Sequence, residues 1–235
     1  HAMRKNPGII TCSWFIGRRC NYDCSYCASY HHDNYSSHVT KESAFDFIDQ
    51  LDTYTQSQQK KFKIGITGGE PFVHPDFLSI LAYAKQKPSL TQLSVITNGS
   101  LPLQVYLEAT KYLTNLTVSL HLEQSQAVTE RTLNTIIELN RVEGLFLNVN
   151  LMALPGRLEQ VKTIVKQFKE HSVNFVIRLI DPPFEDKDNR VKKGDKQAIK
   201  SLEENVVANK IQGKSDNQQN LQQRILNYYT EPEIE

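Results

Sequence analysis

The sequence predicts an α/β fold in which βα units repeat around a parallel sheet. From Ile9 to about Asp181, short apolar runs rich in branched residues alternate with longer amphipathic stretches, and the period is nearly constant. Six such runs occur, which is too few for a closed eight-stranded barrel. The residues with chemical potential fall just beyond the apolar runs, at the expected C-terminal ends of strands.

Strands are expected over residues 9–16, 62–67, 93–97, 116–122, 145–152 and 174–180. Between the first two, Phe45, Phe47, Ile48, Leu51 and Tyr54 recur at helical spacing, with Thr40 suited to cap the helix start. Val161, Ile164, Val165 and Phe168 repeat that pattern before the sixth strand. Pro182 and Pro183 break the alternation, and a mixed-charge tail rich in glutamine and asparagine follows. Two tail helices are expected, over 195–210 and 216–229. In the second, Leu221, Ile225, Leu226 and Tyr229 form a narrow apolar stripe. The organisation is therefore a βα domain over 4–181 and a polar, helical extension over 182–235 that closes the open side, binds substrate or stays a flexible tail.

Bulk composition excludes several classes. With 39% hydrophobic and 23% charged residues, 235 residues suit a globular chain with a sizeable core. The 27 basic and 26 acidic side chains nearly cancel, so no nucleic-acid footprint is visible, and no apolar run approaches membrane-spanning length. No secretory signal is visible, and the expectation is a cytoplasmic enzyme. His1 and Ala2 read as a cloning scar ahead of a start at Met3, so His1 enters no metal argument.

The most informative run is CNYDCSYC, in which Cys20, Cys24 and Cys27 are spaced CxxxCxxC. Three thiolates on one loop suit three irons of a cubane cluster, leaving one iron open to a small molecule. They also suit a structural zinc ion, with His31 or His32 as fourth ligand. A disulfide framework fits poorly, since only four cysteines occur. The fourth, Cys12, sits inside the first strand and reads as a small packed hydrophobe, while His31 and His32 otherwise read as solvated loop residues.

Further on, Thr67-Gly68-Gly69-Glu70-Pro71 ends the second expected strand. The cysteine spacing, Tyr26 before the third cysteine and this GGEP segment together resemble the radical SAM superfamily, over roughly residues 9–181. That resemblance implies an open, partial TIM-type barrel of about six βα units. It also implies a 4Fe-4S cluster on Cys20, Cys24 and Cys27, and S-adenosylmethionine as second cofactor. The phrase GGEPFVHPDF and the later SLH segment look most like the branch of the molybdopterin cyclase and the peptide-modifying and sulfatase-maturing enzymes, but without their auxiliary-cluster cysteines, since none follows Cys27.

By the same resemblance, Gly68 and Gly69 through their backbone, and Glu70 through its side chain, receive the methionyl amine. Asn98 ends strand three beside them. Ser119 and Asn150 stand where the fourth and fifth strands meet the ribose, and Arg131 where an arginine holds the methionyl carboxylate. Ser119 and His121, with Glu123 beyond them, share one strand face, as do Asn148, Asn150 and Met152, and polar side chains paired on a buried face call for a ligand. Arg178, mid-strand among apolar neighbours, is assigned to a substrate or cofactor carboxylate, because a buried guanidinium needs an anion. His121 is the candidate proton shuttle. The family's reaction is one-electron cleavage of S-adenosylmethionine to methionine and a 5′-deoxyadenosyl radical that takes hydrogen from a substrate. A peptide or small metabolite is expected, a nucleotide-derived compound or a glycyl-radical activase role being alternatives, with flavodoxin or ferredoxin as electron donor. The competing class is a noncatalytic, zinc-stapled binding module.

Overall fold

The computed structural model describes residues 8–28 and 30–180, together with 198, 201 and 202. The chain divides into two units, 1–191 and 192–235. Apart from those last three residues, the helices expected over 195–210 and 216–229 lie outside the described residues.

Six parallel strands form one sheet in sequence order: β1 (Ile9–Phe15), β2 (Lys61–Thr67), β3 (Leu90–Thr97), β4 (Asn115–His121), β5 (Phe146–Ala153) and β6 (Phe175–Leu179). β1 and β6 do not pair, so the sheet stays open. Each gap is crossed by helix: α1 (Lys41–Ser57), α2 (Phe77–Lys85), α3 (Leu103–Thr110), α4 (Gln126–Leu139) and α5 (Leu158–Glu170). This is the partial barrel expected from the sequence. β3 starts three residues before the expected Leu93, because Thr91 secures it through a hydroxyl bond to the Phe62 carbonyl (2.9 Å) despite its polar sequence.

Strand alternation divides the sheet into two unlike faces. Phe62, Ile64 and Ile66, with Leu116, Val118 and Leu120, are buried beneath the helices, where Ile48, Ile80, Tyr106, Ile136 and Phe168 complete the core. Each such side chain contributes about 1.5–3 kcal/mol by leaving water. Cys12 shares this face, in register with Ile64, and is half-buried as expected of a packed thiol. Trp14, on the same face, meets Phe47 of α1 with ring centroids 4.7 Å apart. As anticipated, the Thr40 hydroxyl caps α1, accepting from the Ser43 N–H at 3.2 Å. The opposite face carries no helix from these crossovers and is largely polar, with Ser94, Thr117, Ser119, Asn148 and Asn150 in its middle.

Candidate active site

The chain of β1 continues past Phe15 and fastens to the glycine motif. Ile16 donates its N–H to the Thr67 carbonyl (2.9 Å), Gly69 to Gly17 (2.8 Å) and Glu70 to Arg19 (2.9 Å). The approach is too close for a side chain. A Cβ on Gly68 would lie 2.6 Å from the Gly17 carbonyl oxygen, and one on Gly69 only 2.3 Å from that of Arg18. Beyond this zipper, Cys20 N–H bonds the Asp33 carbonyl at 2.7 Å, and Arg18 pairs with Asp33 at 3.3 Å, which closes the cysteine loop at its base.

Glu70, expected at the methionyl amine, is 2% exposed and turned into the protein. Its Oε1 accepts from the Phe72 N–H (3.0 Å) and the Thr97 hydroxyl (2.7 Å), and its Oε2 from the Asn98 N–H (2.6 Å). Burial raises its pKa to about 7 against the pull of those hydrogen bonds. The carboxylate thus ties β2 to the end of β3. It is Gly68 and Gly69, not Glu70, that line the adjacent cavity of about 480 Å³, together with the three cysteines, Asn98 and His121.

Cys24 is buried, while Cys20 and Cys27 are half-buried. Burial pushes all three thiols up, Cys24 to about 11, so their thiolate forms need cationic company. Asn98 reaches the loop, its Nδ2 donating to Asn21 Oδ1 at 2.9 Å and standing 4.0 Å from Cys20 Sγ. The near-neutral titration expected of His121 is not found. Burial holds its pKa down at about 4 and raises that of Tyr26, and the Nδ1 of the neutral imidazole shares a hydrogen bond with the Tyr26 phenol at 2.5 Å. The two rings are nearly parallel, with an interplanar angle of 11°.

Beside His121 in register lie Met152 and then Arg178, and one step lower Ser119 pairs with Asn150. Asn148 Nδ2 and Asn150 Oδ1 are buried without a hydrogen-bond partner among the described residues. Each such atom costs about 1–3 kcal/mol, the signature of a face shaped for a ligand. Arg178 is on this same face, opposite α1 to α5, but exposed among the described residues, so the burial penalty that called for an anion does not arise. Arg131, also exposed, does not line the cysteine cavity. Its Nη2 donates to the Ser100 carbonyl at 3.3 Å beside a separate hollow at α3 and α4.

His32 is not a solvated loop residue. Its side chain is 10% exposed and its Nε2 meets Asp23 Oδ1 at 3.0 Å, whereas His31 is exposed beside Phe15 and Tyr30. Among the described residues no three His, Cys, Asp or Glu side chains converge on a single ion. Two contributors had no sequence signal of their own. Asn21 Nδ2 donates to the Ser100 hydroxyl at 2.8 Å, and Gln124 Nε2 stands 4.0 Å from Cys24 Sγ.

These features form a cysteine-lined cavity at the C-terminal mouth of an open βα barrel. The donor set fits an iron-sulfur cluster, because soft sulfur ligands share one wall and the glycine pair shapes a cradle that a Cβ would fill. The Radical SAM superfamily model matches residues 14–192, and the chain belongs to that family. Its members use a 4Fe-4S cluster and S-adenosylmethionine.

GTP 3',8-cyclase of Klebsiella pneumoniae (strain 342) is 33% identical over 82 residues, covering 34% of this chain and 24% of the cyclase. An S-adenosylmethionine-dependent nucleotide dehydratase of Selenomonas ruminantium is 38% identical over 88 residues, 37% of this chain and 29% of the dehydratase. The matched segment thus spans about a quarter of each relative's length. Among solved structures, Streptococcus suis SuiB bound to S-adenosylmethionine superposes with a TM-score of 0.62 at 15% identity, covering 85% of this chain and 48% of SuiB. A structure of anSMEcpe with bound AdoMet gives 0.60 at 15% identity, covering 84% and 58%. These two carry the fold. No helix among the described residues is long and apolar enough to cross a membrane.

Proposed function

We propose that this chain is a radical SAM enzyme that removes a hydrogen atom from a peptide or small metabolite seated on the face of its sheet opposite α1 to α5. The observation that carries the reading is the zipper between residues 16–19 and the glycine motif, which puts the cysteine sulfurs on one cavity with Gly68 and Gly69. Cys20, Cys24 and Cys27 would hold the cluster, and bound cluster and cofactor together supply one-electron cleavage of the cofactor and a hydrogen-abstracting carbon radical.

The protein's own tasks are binding, orientation and exclusion of water. Gly68 and Gly69 offer backbone to the methionyl end, and Tyr26, held by His121, offers an aromatic face. Ser119 and Asn150 stand for the sugar, and Asn148 and Arg178 are left for the substrate. A one-electron donor such as flavodoxin or ferredoxin completes the system. A nucleotide-derived substrate is the second reading, supported by the cyclase and the nucleotide dehydratase among the relatives.

Anaerobic reconstitution with iron and sulfide, reduction, and addition of S-adenosylmethionine should yield 5′-deoxyadenosine, and a Cys24→Ala control should yield none. A protein that binds zinc, refuses the cluster and makes no 5′-deoxyadenosine would sink the proposal in favour of a zinc-stapled module.

A further inference from the structure

The first half of the cysteine loop is held by the glycine motif and Asn98. The second half is held from a different strand, and by residues to which the proposed function gives no other task. Immediately after β4, Glu123 Oε2 accepts the Ser25 N–H at 2.9 Å, and Gln124 Nε2 stands 4.0 Å from Cys24 Sγ. His121, at the end of β4, holds the Tyr26 phenol at 2.5 Å and lies 3.5 Å from the same sulfur. Four contacts thus fall on three successive loop residues. A short stretch after a rigid strand therefore fixes the orientation of Cys24, the most buried of the three thiols.

The contacts differ in chemistry. Glu123 offers only an acceptor, and the His121 Nδ1 is occupied by the phenol. Gln124 brings an N–H that points to sulfur, as Asn98 Nδ2 does 4.0 Å from Cys20. Tyr22 adds a backbone N–H 3.4 Å from Cys20 Sγ. Two of the three cysteines therefore carry side-chain amide donors, each from the end of a different strand. N–H donors to cluster sulfurs stabilise negative charge, and the reduced cluster is the more negative form.

We infer that Gln124 is a positioning residue that donates its amide N–H to the Cys24 sulfur and so makes the cluster easier to reduce. The inference rests on the reading that the chain holds a cluster. Gln124 is half-exposed at the start of the α4 connection, so a substitution there leaves the core untouched.

The test is a reductive titration of reconstituted wild type, Gln124→Leu and Gln124→Asn, with iron content, the visible spectrum and the low-temperature EPR signal of the reduced cluster read on each. At the potential that half-reduces wild type, the reduced-to-oxidised ratio in Gln124→Leu should fall by about threefold to tenfold, as expected for losing one ordinary hydrogen bond. Iron content should stay at the wild-type value, and Gln124→Asn should recover part of the shift. Asn98→Val, measured the same way, should move the ratio in the same direction through Cys20. A Gln124→Leu protein with wild-type iron and a wild-type titration curve would overturn the inference, and so would one that folds but cannot keep its iron. Failure of the underlying reading looks different, because wild type itself would then take up no cluster.

Discussion

Gly69→Ala is the most direct test of how the site is assembled. The new methyl group would sit 2.3 Å from the Arg18 carbonyl oxygen and 2.4 Å from that of Arg19. Ordinary contacts begin near 3.4 Å, so the arm must retreat by roughly 1 Å, and backbone atoms on both sides leave no flexible side chain to absorb the shift. Such a retreat breaks the bonds Gly69 to Gly17 and Glu70 to Arg19. At about 0.5–1.5 kcal/mol each, their loss amounts to about 1–3 kcal/mol, before any overpacking strain. The six strands and their helices are untouched, so the protein should still fold. The arm carrying Cys20 would stand off the glycine motif, and cluster retention should fall with it. Iron and sulfide content after anaerobic gel filtration, absorbance near ~400 nm and the thermal midpoint of the cluster-free protein would be measured together. Gly17→Ala is the control on the same arm, because a Cβ there meets nothing within 4 Å. If Gly69→Ala retains iron and 5′-deoxyadenosine formation at the level of Gly17→Ala, the zipper does not position the cysteines.

Asn148→Val should raise the thermal midpoint of the cluster-free protein, because it removes a buried amide nitrogen without a partner, a defect of about 1–3 kcal/mol, from a strand that favours β-branched residues. The same variant should couple 5′-deoxyadenosine formation to substrate poorly, and a lowered midpoint would refute the idea that this amide awaits a ligand. For Glu70, burial raises the folded pKa to about 7 above its ordinary 4.5, so the folded state holds its proton more tightly than the unfolded chain. Its contribution to stability is then full below about pH 4.5 and is lost as pH rises through 7. In differential pH-stability curves, Glu70→Gln should remove that descent, and an unchanged slope would show that Glu70 does not titrate there. His121→Phe keeps a ring beside Tyr26 but deletes the Nδ1 that meets its phenol. It should loosen S-adenosylmethionine binding severalfold in equilibrium dialysis while preserving iron content, and wild-type affinity would exclude His121 as the holder of Tyr26.

The parts of this site legible in the sequence are those in which one residue type has one physical use. Cysteines at CxxxCxxC spacing need no fold to suggest soft-metal ligation, and alternating apolar runs locate all six strands to within a few residues, since period-two burial follows from the sheet itself. Glu70 was less legible, because a carboxylate after two glycines suits an ammonium group as well as it suits three inward hydrogen-bond donors, and only the positions of Phe72, Thr97 and Asn98 decide between them. Arg178 shows the opposite failure, since apolar neighbours in sequence suggested burial while the edge position of β6 leaves the side chain exposed. His121 kept its expected place and lost its expected chemistry, for burial and the Tyr26 phenol are properties of packing rather than of its local sequence.

Gln124 carries no motif at all, and its meaning comes from the turn after β4 bringing it to a loop one hundred residues earlier in the chain. The pattern has a common cause. The proposed ligands to the cluster are local in sequence because one loop must wrap one cofactor, whereas the groups that would orient them come from the ends of β2, β3 and β4, where parallel strands bring distant segments together. Substitutions in the loop should therefore remove the cluster outright, while substitutions at the strand ends should leave iron in place and change its potential, its cofactor affinity or its coupling to substrate. The glycine pair is the exception that ties the two sets together, since it belongs to a strand end and yet holds the base of the loop.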